Sequence, residues 1–202
     1  MLADTINRAA RRVPAWPIYI LGLIPFGWWV YLGATGGLGA EPVEALEHEL
    51  GEFALKLLIV VLAITPLMRL ARVNLVKYRR ALGIMTYVYV MLHFAVWLVL
   101  DVQILSEVWA DIVKRPYVTV GFVAMLLMTP LALTSNNWSI RKLGPRWRKL
   151  HKLTYPVAVL GALHFVMLRK GFQLEPLIYM AIILGLVGLR YLPKPGRRVA
   201  RA

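Results

Sequence analysis

The 202-residue sequence has no cysteine and only four histidines. The missing thiol excludes structural disulfides, covalent haem attachment through C-x-x-C-H, and thiolate-held iron–sulfur clusters. Acids are scarce, with ten Asp and Glu against 24 Lys and Arg. A nucleotide-binding unit is absent as well. Gly36-Gly37-Leu38-Gly39 has no strand before it and no βαβ context, so it reads as a turn, and any nicotinamide chemistry belongs to a partner. No repeat of fixed period, no low-complexity tract and no patterned nucleophile or acid–base pair is present, so bond-making catalysis is not expected on this chain.

What the sequence has in excess is apolar residues. They make up 59% of the chain, with mean hydropathy +0.64, where a soluble domain is nearer about half apolar. The excess falls in six runs, at about 16–33, 53–68, 81–100, 117–133, 153–168 and 177–192. Each approaches the roughly 20 residues that cross a hydrocarbon core of ~30 Å. The expectation is an all-α fold, a six-helix transmembrane bundle forming one domain over 1–202. Prolines 25, 66, 130 and 156 fall inside these runs, where neighbouring helices must satisfy the freed carbonyls. The first run follows Arg8, Arg11 and Arg12 like a signal peptide, but its length and its Trp28, Trp29 and Tyr31 suit a retained span better.

The net charge of +14 invites a nucleic-acid reading, and the placement of the charges argues against one. With the N-terminus cytoplasmic, 19 of the 24 Lys and Arg fall on the inner side and nine of the ten acids on the outer side. This is the positive-inside pattern of a multi-pass inner-membrane protein with both termini cytoplasmic. Anionic lipid head groups are sufficient partners for the inner basic patches, and no nucleic acid is implied.

Two of the histidines lie where imidazoles are costly. His93 sits in the third run and His164 in the fifth, and ionisable groups at such depth usually face a bundle interior with a task. His93 is thirteen residues above Arg80, and His164 is fourteen above Leu150. At 1.5 Å per residue both stand roughly 20 Å from the inner interface. Two level imidazoles on two helices can grip one iron from opposite sides, as haem axial ligands do. The plain alternative is a pair of satisfied interhelical histidines without metal. Gly161, Ala95 and Ala162 are small residues that leave room for a flat macrocycle.

His151 lies thirteen residues before His164, at the inner interface. On an ideal helix the two point about 140° apart, so they share no face unless Pro156 distorts the helix. His151 is therefore a sole protein ligand, a flavin or quinone contact, or an interfacial histidine. His48 lies among acids at the outer mouth, as a surface residue or with a proton or docking role. Arg79, Arg80, Arg146 and Arg148 are placed to hold propionates or a flavin phosphate, although the topology signal alone accounts for them.

Several segments taken in order resemble the MsrQ (YedZ) family, the haem-binding membrane subunits of bacterial MsrPQ methionine-sulfoxide reductase systems, in the ferric-reductase-like transmembrane superfamily. They are GGLGAEPVEALEH (36–48), GEFALK (51–56), TPL (65–67), RRALG (79–83), RPY (115–117), LALTS (131–135), RKLGPRWRKLH (141–151), PLIY (176–179) and LRY (189–191), with His93 and His164 between them. The resemblance implies haem b, with His93, His151 and His164 as candidate ligands, and FMN. It also implies electron transfer from the quinone pool or a cytoplasmic flavin reductase to MsrP, a periplasmic molybdoenzyme that repairs oxidised methionine in proteins. Larger relatives carry two histidines on each of two helices and a fused dehydrogenase domain, and this chain lacks the fourth histidine and that domain. Two rivals stay open: a stand-alone ferric or quinone reductase, and a small histidine-dependent transporter or scaffold.

Overall fold

The computed structural model describes residues 2–169 and 173–191. Lys170, Lys194, Arg197, Arg198 and Arg201 of the charge distribution lie outside them. The described residues form helices joined by turns and loops, without strands. Eleven α-helices follow in order: α1 Leu2–Arg12, α2 Pro17–Leu21, α3 Ile24–Ala34, α4 Pro42–Leu70, α5 Arg79–Val96, α6 Leu105–Lys114, α7 Pro116–Leu133, α8 Asn137–Leu143, α9 Pro145–Leu150, α10 Thr154–Leu168 and α11 Leu174–Gly188. Five segments are long and apolar enough to cross a membrane: Pro17–Ala34, Pro42–Leu70, Val76–Val102, Pro116–Leu133 and Pro145–Leu168. The last apolar helix, α11, has 15 residues, about 22 Å of rise, and ends four residues before the run read from the sequence.

Helix α4 is the hub. On one side it packs with α7, α10 and α11 through Leu58, Leu62, Met128, Val157, Ala158 and Ile183. On the other it packs with α5 through Leu46, Leu50, Ala54, Met85 and Tyr89, against Ile18, Phe26 and Trp29 of the first segment. Phe53, Tyr89 and Trp29 form an aromatic knot there, with Phe53 and Tyr89 centroids 4.6 Å apart. Many other large apolar side chains are exposed, among them Ile20, Val99, Leu126, Leu133 and Leu184, as expected of faces turned to lipid.

The connections are more ordered than hydropathy suggests. Residues 42–52 fall between the apolar runs at 16–33 and 53–68, yet they form the first three turns of α4, started by Pro42 at its first position. The span at 81–100 finishes in a π-helical turn, Trp97–Val102, closed by Gln103 with φ 58°. The loop 101–116 contains α6, which leaves Trp109 and Val113 exposed. The basic loop 135–150 is two short helices joined at Gly144, whose φ is +51°; Asn136 caps the first by accepting from Ser139 N. Helix α1 is tied to the α4–α5 connection: Asn7 donates to Arg72 O and accepts from Asn74 N, and Lys77 donates to Arg11 O.

Candidate functional site

His93 and His164 come together. They project from α5 and α10 with ring centroids 6.2 Å apart and planes 76° to one another. His93 Nδ1 lies 2.9 Å from Glu47 O on α4, and His164 Nδ1 lies 2.7 Å from Tyr117 O at the start of α7. A carbonyl only accepts, so both Nδ1 atoms carry the proton and donate it. Both Nε2 atoms are left with a bare lone pair, the form in which imidazole ligates a metal.

The pair lines a cavity of about 200 Å³ that is partly open to the surroundings. Leu58, Thr86, Val90, Met128 and Val157 wall its deep part, while His48, Glu52, Asp101 and Arg115 stand around its outer part. The π-helical turn contributes Trp97 and Asp101 to this wall, consistent with π turns being used at functional sites. Glu47 also lines it, and its Oε1 is buried with no hydrogen-bond partner among the described residues. The cavity is therefore apolar at depth and charged at one end.

Among the described residues no group of three or more His, Asp or Glu is placed to hold a metal ion. Two imidazoles do not complete the roughly four ligands of a zinc site. They do suit a haem, whose macrocycle supplies the iron's other ligands. Metal–imidazole bonds run about 2.0 Å, so two rings with centroids 6.2 Å apart are near enough for both to reach one ion. The donor set, its tautomers and the apolar cavity fit a haem.

The remaining sequence-predicted residues lie elsewhere. His151 does not line the cavity. It sits in a 3-10 turn, His151–Leu153, that breaks the chain between α9 and α10. Its ring stacks on Trp147 with centroids 3.9 Å apart, and its Nε2 lies 3.0 Å from Thr134 Oγ1. The Thr134 hydroxyl spends its proton on Pro130 O, so His151 Nε2 is the donor of that bond. Trp147 Nε1 donates to Thr134 O, and the two side chains together pin the end of α7. Arg79 is close enough for its charge to act on His151 and on Arg190. Arg80, Arg146 and Arg148 are exposed. None of these arginines lines the cavity; among the described residues Arg115 does, and it pairs with Asp111 at 3.2 Å.

Of the small residues expected to make room, Gly161 lines the cavity. Ala162 is fully buried in the core between helices and Ala95 faces outward, because each is two residues from its histidine and so about 200° round the helix. His48, read as a surface residue or an outer-face group, is half-buried on α4 and belongs to the cavity wall. The sequence reading missed Gly51 and Gly121, which touch the two imidazole rings. Hydropathy carries no signal for them, since a glycine inside an apolar helix is unremarkable there.

The sequence family described as ferric reductase like transmembrane component matches residues 49–162, which include both His93 and His164. A relative from Agrobacterium fabrum is 51% identical over 183 residues, 89% of this chain and 85% of its own. One from Brucella anthropi is 48% identical and one from Brucella ovis 49%, each over 85% of this chain and 79% of the relative. All three carry the name protein-methionine-sulfoxide reductase heme-binding subunit MsrQ. The chain belongs to the MsrQ family. No solved structure matches it. The MsrQ relatives are described as haem-binding, and the chain has a multi-pass architecture with a cavity lined by His93 and His164.

Proposed function

We propose that the chain is the haem b electron-transfer subunit of a methionine-sulfoxide reductase system in the bacterial inner membrane. It would form six spans, α11 being the sixth, with both termini cytoplasmic. The observation that carries this reading is the His93–His164 pair, two Nδ1-protonated imidazoles whose centroids lie 6.2 Å apart in an apolar cavity. His93 and His164 would hold the haem iron through their Nε2 atoms. Haem bound there supplies one-electron chemistry, while the surrounding protein sets its position and potential.

The chain's own residues divide between the two ends. Carbonyls of Glu47 and Tyr117 orient the rings, and Leu58, Val90, Met128 and Val157 keep water out. At the inner end, His151, Arg79, Arg80 and Arg148 mark where a quinone, FMN or a cytoplasmic flavin reductase would deliver electrons. At the outer end, His48, Asp101 and Trp109 mark where they would leave, to MsrP in the periplasm. MsrP, the donors and FMN come from the family resemblance; the histidine geometry carries the haem.

The test is a reduced-minus-oxidised visible spectrum of the haem-reconstituted protein in detergent, for wild type, His93→Ala and His164→Ala. A low-spin b-type spectrum lost in either variant supports the reading. A wild type that binds no haem sinks it and favours a transporter or scaffold. Electron delivery with and without an outer molybdoprotein separates an MsrP subunit from a stand-alone ferric or quinone reductase.

A further inference from the structure

The two histidines are held by two matching hairpins. In the first, α4 carries Gly51 and α5 carries His93. In the second, α7 carries Gly121 and α10 carries His164. In each, the imidazole donates to the carbonyl one helical turn before the glycine, that of Glu47 or Tyr117. The sequence separations are nearly equal, His93 lying 46 residues after Glu47 and His164 47 residues after Tyr117.

The glycines are what make these bonds reachable. In a regular helix the carbonyls of Glu47 and Tyr117 already accept from the N–H of Gly51 and Gly121. Each carbonyl has a second lone pair, and the ring lies over the bare glycine to reach it. A Cβ at Gly121 would stand 2.7 Å from His164 Nδ1 and 2.9 Å from Cε1. A Cβ at Gly51 would stand 3.3 Å from both Nδ1 and Cε1 of His93. Gly83, also in α5, has nothing within 4 Å of the same position.

We infer that Gly51 and Gly121 are positioning residues for the haem, each admitting an imidazole to a backbone carbonyl so that both rings present Nε2 to one iron. This rests on reading His93 and His164 as the ligands. Donation from Nδ1 to a carbonyl fixes the tautomer and makes the ring a stronger electron donor, which favours oxidised iron and lowers the potential. An added methyl forces the ring off its carbonyl, more at Gly121 than at Gly51.

The experiment compares wild type, Gly51→Ala, Gly121→Ala, Gly83→Ala, His93→Ala and His164→Ala as full-length protein in detergent. It reads haem affinity, ferric and ferrous spectra, and the midpoint potential. Gly121→Ala is expected to lose haem affinity on the order of ten- to a hundredfold, with a shift towards high-spin iron. Gly51→Ala is expected to keep low-spin haem at a higher midpoint, and Gly83→Ala to match wild type. Wild-type spectra, affinity and midpoint in both Gly51→Ala and Gly121→Ala overturn the inference, even if thermal stability falls, since that is what a purely structural role produces. Should Gly121→Ala not accumulate, the Gly51→Ala midpoint decides alone. If His93→Ala and His164→Ala keep the low-spin spectrum, the ligand reading fails and takes the inference with it; loss in these with wild-type glycine variants sinks the inference only.

Discussion

Arg190 Nη2 donates to the backbone carbonyl of Leu62 at 2.8 Å, and Leu62 is the residue whose helical partner Pro66 removes. Proline has no N–H to give the carbonyl four residues back, and in an apolar setting that acceptor has no water to turn to. The end of the last described segment therefore closes a gap inside α4.

Arg190→Met is expected to cost about 1–2 kcal/mol, the upper range for interhelical hydrogen bonds in membranes. Pro66→Ala restores the N–H, so in its background the loss of Arg190 should cost less. Thermal or chemical unfolding of the four proteins in detergent measures this coupling. Additivity within about 0.5 kcal/mol would mean that Arg190 and Pro66 are unrelated.

Tyr89 is fully buried, and its hydroxyl sits in the break between α2 and α3. It donates to Gly22 O at 2.6 Å and accepts from Phe26 N at 3.2 Å, replacing the helical bond that those two groups would make with each other. Tyr89→Phe keeps the aromatic packing and removes both bonds. The expected cost is roughly 1–2 kcal/mol, with faster amide exchange confined to residues 17–34. Exchange unchanged in that segment would contradict the bridging role.

His151→Ala removes the Nε2–H bond to Thr134 and the stack on Trp147. The low-spin signal of the His93–His164 site is expected to persist, with a loss of stability of about 1 kcal/mol from the unpinned α7 end. Loss of about half the haem signal would instead make His151 a ligand of a second haem.

Glu52 Oε1 accepts from Lys56 at 2.6 Å and from Tyr179 of α11 at 2.9 Å. Lys56 falls inside the apolar run at 53–68, and this pairing gives its charge a partner there. Glu52→Leu strips both partners and is expected to destabilise by about 1–3 kcal/mol. Glu52→Gln keeps an acceptor for Tyr179 and should fall between. Equal stability of the Leu variant and wild type, by detergent unfolding, would show the cluster to be incidental.

Much of the architecture was legible in residue order. The apolar runs marked where helices lie, since twenty apolar residues have few other places to go. They did not mark where helices continue past the lipid. Residues 42–52 are acidic and looked like a loop, yet Pro42 starts a helix that runs without interruption into the apolar stretch. Nor did they show that the chain breaks at His151–Leu153, ahead of Pro156. The equal height of His93 and His164 was legible, because the rise per residue of a helix is constant.

By itself the sequence determined an apolar, cysteine-free chain of helices whose basic residues cluster between alternate spans, with two imidazoles at one depth. It could do so because hydropathy, charge and helical rise are local properties. Tertiary structure decided which way each ring turns, which backbone carbonyl meets it, and that the two glycines lie beneath the rings while His151 is held apart by Thr134 and Trp147. Those outcomes depend on the rotation of each helix about its axis and on the identity of its neighbour. Both are set only when α4, α5, α7 and α10 pack together.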